Sequence, residues 1–181
     1  MPFSPQAQPA DHKPGILIVV AGIFNCRHTR AVALDQLGRS HEAIDDCDSA
    51  IELDPNSAEA YNSRGLIQMK LGQLQESMAD LTKAIELAPY WELPFLNRGQ
   101  AALLLKDWDL CVQDYTIAIT TVEGRNDSRN NVMLGRLYLN RGSAYRSRGD
   151  FAQAEADAQI ALLKDPNLAY IMKEVGREPI E

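Results

Sequence analysis

The side chains best suited to binding a metal are those of Cys26, His28, His41 and Cys47. Thiol and imidazole groups are the usual protein ligands of zinc. Their spacing matches no common zinc pattern, however, and residues two apart on a helix point to different faces. We therefore expect no metal and no cofactor. The sequence also has no glycine-rich phosphate loop, zinc-protease motif or serine elbow, so enzymatic activity is not predicted.

A row of arginines is the second group that could carry chemistry. Each member precedes a glycine, and the row consists of Arg64, Arg98 and Arg141. Such a row could bind an anion. Aspartates repeat in step with it, however, at Asp46, Asp80, Asp114 and Asp157. Because a repeated arginine more often pairs with a nearby carboxylate, we predict an arginine–aspartate framework rather than an anion site.

The aspartates also mark a sequence period. The first three lie 34 residues apart and the fourth follows after 43, which is one period with an insertion of nine residues. Glycines and prolines repeat the same offsets, at Gly65, Gly99, Gly142, Pro55, Pro89 and Pro166. A fixed period of this length is the signature of a protein built from stacked repeats.

The clearest unit covers residues 58–91. Its pattern predicts a first helix that stops at Gly72, because glycine commonly ends a helix. Apolar residues at helical spacing then predict a second helix, which Pro89 ends because its ring cannot continue the hydrogen-bond ladder. Gly65 and Ala84 are the predicted contact positions, since small side chains let the two helices approach closely.

This unit resembles the tetratricopeptide repeat, in which aromatic, glycine, alanine and proline positions stand at fixed offsets. Residues 24–166 carry four such units in register. The first unit departs from the pattern, with Arg27 in place of the aromatic residue and Ala31 in place of the glycine. The resemblance implies an all-α fold, a helical-hairpin repeat solenoid of four units with a capping helix at its C-terminal end.

The predicted organisation has three parts. Residues 1–23 form an irregular or disordered lead-in, and residues 168–181 form the capping helix and tail. The array between them divides into units at about 24–57, 58–91, 92–134 and 135–167. The insertion falls in the third unit, as a polar loop over residues 124–128 followed by an extended helix that starts at Asn130 or Asn131.

The resemblance also implies where a partner would bind, because the first helices of successive pairs line the groove of such arrays. The predicted partner-binding positions are Asn62, Leu66, Met69, Leu93, Leu96, Asn97, Gln100, Leu103, Arg136 and Leu139. Further positions on this face are Glu59, Lys70, Leu104, Ser143 and Arg146. Apolar anchors of a peptide would contact the leucines, and the polar groups would fix its backbone or charges. The same leucines could instead pack between units.

Some members of the family hold the C-terminal carboxylate of heat-shock chaperones with two lysines, two asparagines and an arginine. In this sequence the first lysine and asparagine positions fall on His28 and Val32, or on Asn62 and Leu66. In the second of these registers only Asn97 is identical, and Arg136 preserves a charge. Carboxylate capture depends on paired cations, so the resemblance does not support a chaperone clamp.

We therefore expect a non-catalytic adaptor that binds a segment of another protein in the groove. The alternative is a structural subunit that self-associates, or joins a larger complex, through the open end of the array. A net charge of −7 and a pI near 5.0 argue against nucleic acid as the ligand.

Location is inferred from the cysteines and the N-terminal region. Cys47 and Cys111 fall at positions predicted to be buried, which favours small core residues in a reducing compartment over a disulfide. The apolar run over residues 16–24 is too short to span a bilayer, and little positive charge precedes it. A cytoplasmic protein is therefore expected, with export as the less favoured alternative.

Overall fold

The computed structural model describes residues 30, 34, 37–125 and 127–170. Within these residues the chain is entirely helical, with a short 3-10 turn and no strand. The helices are α1 (Ser40–Leu53), α2 (Ala58–Lys70), α3 (Leu74–Leu87), α4 (Glu92–Leu105), α5 (Trp108–Glu123), α6 (Asn131–Arg148) and α7 (Phe151–Lys164). None of the described helices has the length and apolar character needed to cross a membrane. The predicted lead-in, and the predicted capping helix from residue 171 onward, lie outside the described residues.

Helices α2 and α3, α4 and α5, and α6 and α7 form three successive pairs, and α1 is the second helix of the pair before them. Each helix packs on the next along the chain, and α2 also touches α4, the first helix of the following pair. This arrangement confirms the predicted all-α repeat solenoid. Since each pair makes its main contacts with its neighbours, the fold is a one-dimensional stack.

The turn inside each pair has one repeated geometry. Four residues at equivalent positions have a positive φ, namely Gly38, Gly72, Lys106 and Gly149. After each of them, a backbone N–H bonds to the carbonyl five residues earlier, as from Gln73 to Gln68 at 2.9 Å. This bond satisfies carbonyls that the end of the first helix leaves unpaired. Of these four turn residues, Lys106 alone carries a side chain in the left-handed conformation.

Close approach of the paired helices depends on the small residues that the sequence predicted. A Cβ at Gly65 would lie 2.8 Å from Cγ of Leu81, which is closer than carbon atoms can pack. Ala84 is fully buried, and the Ser77 hydroxyl donates to the Gly65 carbonyl at 2.7 Å. At this crossing the backbone of α2 therefore packs directly against side chains of α3.

The insertion lengthens the helices on either side of it. Helix α5 extends to Glu123, and α6 begins at Asn131, so the predicted extended helix is present. Arg125 in the loop binds Glu92, at the start of α4, with nitrogen–oxygen distances of 3.0 and 2.5 Å. The Tyr138 hydroxyl donates to Glu123 at 3.0 Å. The insertion is thereby fastened to both units it joins.

We predict that Lys106→Gly stabilises the protein by about 1 kcal/mol, because a side chain in the left-handed region costs about that much relative to glycine. Urea unfolding followed by circular dichroism measures the change. The control is Gly72→Ala at the equivalent turn, which should lose about 1 kcal/mol. Equal stability of Lys106→Gly and the unmodified chain would show that the turn at 106 is not strained.

The buried thiols give a second prediction. Burial raises the pKa of both Cys47 and Cys111 to about 12, and both side chains lie in the core as the sequence predicted. Since the thiolate is the reactive form, neither thiol should react with a disulfide reagent at pH 8 in the folded protein. The measurement uses Cys26→Ser, in which guanidinium chloride should expose two reactive thiols. Rapid labelling without denaturant would contradict the closed core.

Candidate partner-binding groove

The predicted arginine–aspartate framework is present in the described units. Arg64 binds Asp80 through two bonds of 2.6 Å, and Arg98 binds Asp114 through two bonds of 2.8 Å. Arg141 binds Asp157 in the same way at 2.8 Å, and Arg30 pairs with Asp46. Each pair joins the first helix of a unit to its second helix, and the parallel fork geometry is the strongest form of such a bond.

The remaining guanidinium nitrogen, Nη1, binds a residue of the preceding unit. This contact was not predicted from the sequence. Arg64 Nη1 binds Asp48 at 2.6 Å, Arg98 Nη1 binds Thr82 at 3.0 Å, and Arg141 Nη1 binds Thr116 at 3.1 Å. The acceptors recur at the 34-residue period, and that recurrence was the available signal. Each arginine therefore links three helices, and the row is occupied by the framework rather than open to an anion.

The central pair is the most deeply buried. The Asp114 side chain is 0% exposed and that of Arg98 is 15% exposed. Burial raises the pKa of Asp114, and the hydrogen bonds from Arg98 only partly offset this effect. A carboxyl whose folded-state pKa is raised contributes stability below its unfolded pKa and loses that contribution as pH rises. The pair at neutral pH thus fixes geometry more than it adds stability.

The predicted groove residues divide by burial. Asn62, Met69 and Asn97 are buried, while Gln100 and Arg136 are exposed. The five leucines are half-buried, and they are Leu66, Leu93, Leu96, Leu103 and Leu139. Several of them also pack against core residues, so the same leucines can pack within the array and still present an exposed part to a peptide. Each retains partial exposure on a first helix.

The two groove asparagines bind each other. Asn97 Nδ2 donates to Asn62 Oδ1 at 2.9 Å, and the two residues are 8% and 7% exposed. Their amides thus connect α2 to α4. One donor of Asn97 and the oxygen of Asn62 are consequently engaged within the protein, which leaves less of each amide for a partner than the sequence suggested.

A cavity of about 220 Å³ opens between the third and fourth units. The described residues that line it are Leu103, Trp108, Leu139, Gly142, Ser143, Arg146, Ser147, Ala154 and Ala158. Two of the predicted binding leucines, Leu103 and Leu139, therefore meet here. Trp108, Ala154 and Ala158 were not predicted to line the groove, because they lie on second helices.

The groove is more positive at its C-terminal end. The predicted face carries Glu59 and Lys70 on α2, and the cations Arg136 and Arg146 on α6. Neither of these two arginines forms an ion pair with any residue in the described part of the chain. Both lie on one stripe of α6 with Leu139 and Ser143, because residues three, seven and ten apart share a helix face. A cationic stripe thus stands out in a chain of net charge −7.

The metal-ligand types named from the sequence do not meet within the described residues. Among these residues, no group of three histidine, cysteine, aspartate or glutamate side chains is arranged to hold a metal ion. His41 is exposed and Cys47 is buried. Cys26 and His28 lie outside the described residues.

Comparison with known proteins matches three segments of the chain to one family. Residues 58–90 and 135–166 match models described as tetratricopeptide repeat, and residues 33–72 match one described as TPR repeat. The DnaJ homolog subfamily C member 7 homolog of Dictyostelium discoideum is 54% identical over 41 residues. That match covers 23% of this chain and 8% of the relative, so the chain spans only a small part of the relative's length.

Solved structures share the fold at low sequence identity. A crystal structure of MamA has a TM-score of 0.71, is 21% identical and is covered over 86% of each chain. The TPR2B domain in a pHsp70 complex of yeast Sti1 has a TM-score of 0.61 and 19% identity, over 67% of this chain and 97% of that one. The second TPR of Spaghetti (RPAP3), bound to the HSP90 peptide SRMEEVD, has a TM-score of 0.54 and 21% identity, over 57% and 97%.

The buried ion pair generates a prediction about stability. Arg98→Met should destabilise the protein by about 3–5 kcal/mol, because it leaves the Asp114 carboxylate buried without its partner. The double variant Arg98→Met/Asp114→Leu should recover most of that loss in thermal and urea unfolding. Lys83→Met is the control, since Lys83 and Glu86 form an exposed pair worth less than about 1 kcal/mol. A single variant as stable as the control would contradict the framework role.

Proposed function

This chain belongs to the tetratricopeptide repeat family, and we propose that it is a non-catalytic adaptor that binds a peptide segment of another protein. The segment lies along the first helices α2, α4 and α6. The observation that carries this proposal is the series of half-buried leucines on successive first helices. A monomer gains little from leaving a line of apolar side chains partly open to water, whereas a partner segment would cover them.

The family and its structural neighbours support a protein ligand. The Sti1 domain is in complex with pHsp70, and the Spaghetti domain is bound to an HSP90 peptide. These partners are not carried over to this chain. The clamp positions hold Asn62 and Leu66 where paired cation and amide groups are needed, so we assign a peptide with apolar anchors rather than a chaperone tail.

Within this proposal the leucines contribute to affinity, and the polar groups fix the orientation of the peptide. Burying one exposed leucine side chain fully contributes about 1.5–3 kcal/mol, and a half-buried leucine contributes about half of that. The leucines therefore supply part of the affinity, and contacts along the peptide backbone must supply the rest to offset the cost of association. Gln100 and Arg136 remain exposed to donate to the peptide. The mutual bond of Asn62 and Asn97 holds α2 and α4 at the spacing that the peptide meets.

We predict that Leu66→Ala/Leu96→Ala weakens partner binding at least about tenfold, because it removes two anchor contacts. The partner is first captured from cell extract with the intact chain and identified by mass spectrometry. Its binding segment is then titrated calorimetrically against both proteins. Leu53→Ala/Leu163→Ala is the matched control, since both of these exposed leucines lie on second helices.

Circular dichroism of the double variant is needed to check that its helices are retained. Undiminished affinity in a folded Leu66→Ala/Leu96→Ala protein would refute groove binding. Sedimentation of the intact chain at several concentrations separates the structural alternative, because self-association predicts a mass that rises with concentration.

A further inference from the structure

One position in the repeat register changes size along the array. Equivalent residues of the second helices are Cys47, Leu81, Tyr115 and Ala158. The first three are buried. Leu81 and Tyr115 lie directly over the glycines of their units, at 2.8 Å and 3.3 Å from an ideal Cβ. They fill the crossing between the paired helices.

The fourth unit lacks this filling. No atom of Ala158 lies among the nearest neighbours of a Cβ built on Gly142, the equivalent glycine. Gly142 and Ala158 instead both line the cavity of about 220 Å³. The cavity therefore occupies the space where the second and third units place leucine and tyrosine. The small side chain of Ala158 therefore contributes to the cavity, which also borders the third unit through Leu103 and Trp108.

The walls of the cavity are suited to an apolar side chain. Leu103, Trp108, Leu139 and Ala154 contribute apolar surface. An apolar protein cavity of about 150 Å³ is large enough to hold benzene. A cavity of about 220 Å³ thus accommodates the side chain of leucine, methionine or phenylalanine.

The polar part of the lining carries one charge. Ser143, Ser147 and Arg146 contribute the polar groups, and no acidic residue is among the described residues of the lining. Asp109 and Asp150, at the N-terminal ends of α5 and α7, both bind Arg148. Arg146 thus has no acidic partner in the described part of the chain and can bind a carboxylate from outside.

We propose that this cavity is the specificity pocket for the partner peptide, and that it takes a bulky apolar side chain flanked by acidic residues. The apolar side chain replaces the leucine or tyrosine of the other units, and Arg146 binds an adjacent carboxylate. This inference rests on the proposed adaptor function and names the chemistry of its ligand. Arg136, on the same stripe of α6, extends the acidic preference toward the start of that helix.

The test uses Trp108 as a reporter, since it lines the cavity while Trp91 does not. In full-length Trp91→Phe, the only remaining tryptophan is Trp108. The probe is an acetylated and amidated heptapeptide with a central phenylalanine between two aspartates, and glycine and serine elsewhere. Saturable change in Trp108 fluorescence is expected. Replacing the central phenylalanine by alanine should weaken binding at least about tenfold, and replacing the aspartates by lysines about fivefold.

Variants of the protein locate the effect. Ala158→Leu restores the residue of the second unit, so it should weaken the probe at least about tenfold while raising the melting temperature. Arg146 is exposed, so the Arg146→Gln protein should fold normally. It should remove the preference for aspartate over lysine flanks and leave the preference for phenylalanine. Lys83→Gln, with the same change of charge on α3, should retain both preferences.

Three results would overturn the pocket. The first is equal binding of the phenylalanine and alanine probes, and the second is undiminished binding by a folded Ala158→Leu protein. The third is binding that develops only in a chain ending at Tyr170, which would identify residues 171–181 as the occupant. Failure of the pocket proposal can be distinguished from failure of the adaptor function. The adaptor function fails only if Leu66→Ala/Leu96→Ala also leaves the affinity for the captured partner unchanged.

Discussion

The architecture depends on the arginine that stands in the first helix of each unit. Its guanidinium binds an aspartate of the paired helix through two donors and the preceding unit through the third, as Arg98 does with Asp114 and Thr82. One planar group thus sets the crossing within a unit and the distance to its neighbour. Because Asp114 is fully desolvated, this contact tolerates little displacement. The spacing of successive first helices, and so the shape of the groove, follows from it.

Repetition of that contact leaves other positions free to differ. The register position that is Leu81 and Tyr115 in the middle units is Ala158 in the last, and a cavity takes the place of the missing side chain. Leaving a cavity in place of a large core side chain generally lowers stability by a few kcal/mol. Here the ion pair between Arg141 and Asp157 still fixes the distance between the two helices. A rigid framework can therefore contain a cavity at one of its repeated positions.

The period, the helix boundaries and the ion-pair partners were predictable because they rest on local rules and on repetition. Gly72 and Pro89 each follow a run of residues at helical spacing, which marks the end of a helix, and residues repeated at intervals of 34 and 43 are expected to have equivalent surroundings. The turn at Lys106 was less predictable, because a lysine gives no local signal for the left-handed conformation that the stack imposes on it. The acceptor Thr82 was missed for a related reason, since a hydroxyl in a helix has many alternative partners.

The sequence by itself determined the class of fold, the number and order of the helices in the described units, and the residues that fasten them together. These properties follow from spacing, which a linear chain records directly. Only the tertiary structure decided which groove residues are engaged. It turned Asn62 and Asn97 toward each other, and it brought Leu103, Trp108 and Leu139 around one cavity. Such groupings depend on the distance and rotation between units, which are set by packing over three helices rather than by any one segment of the chain.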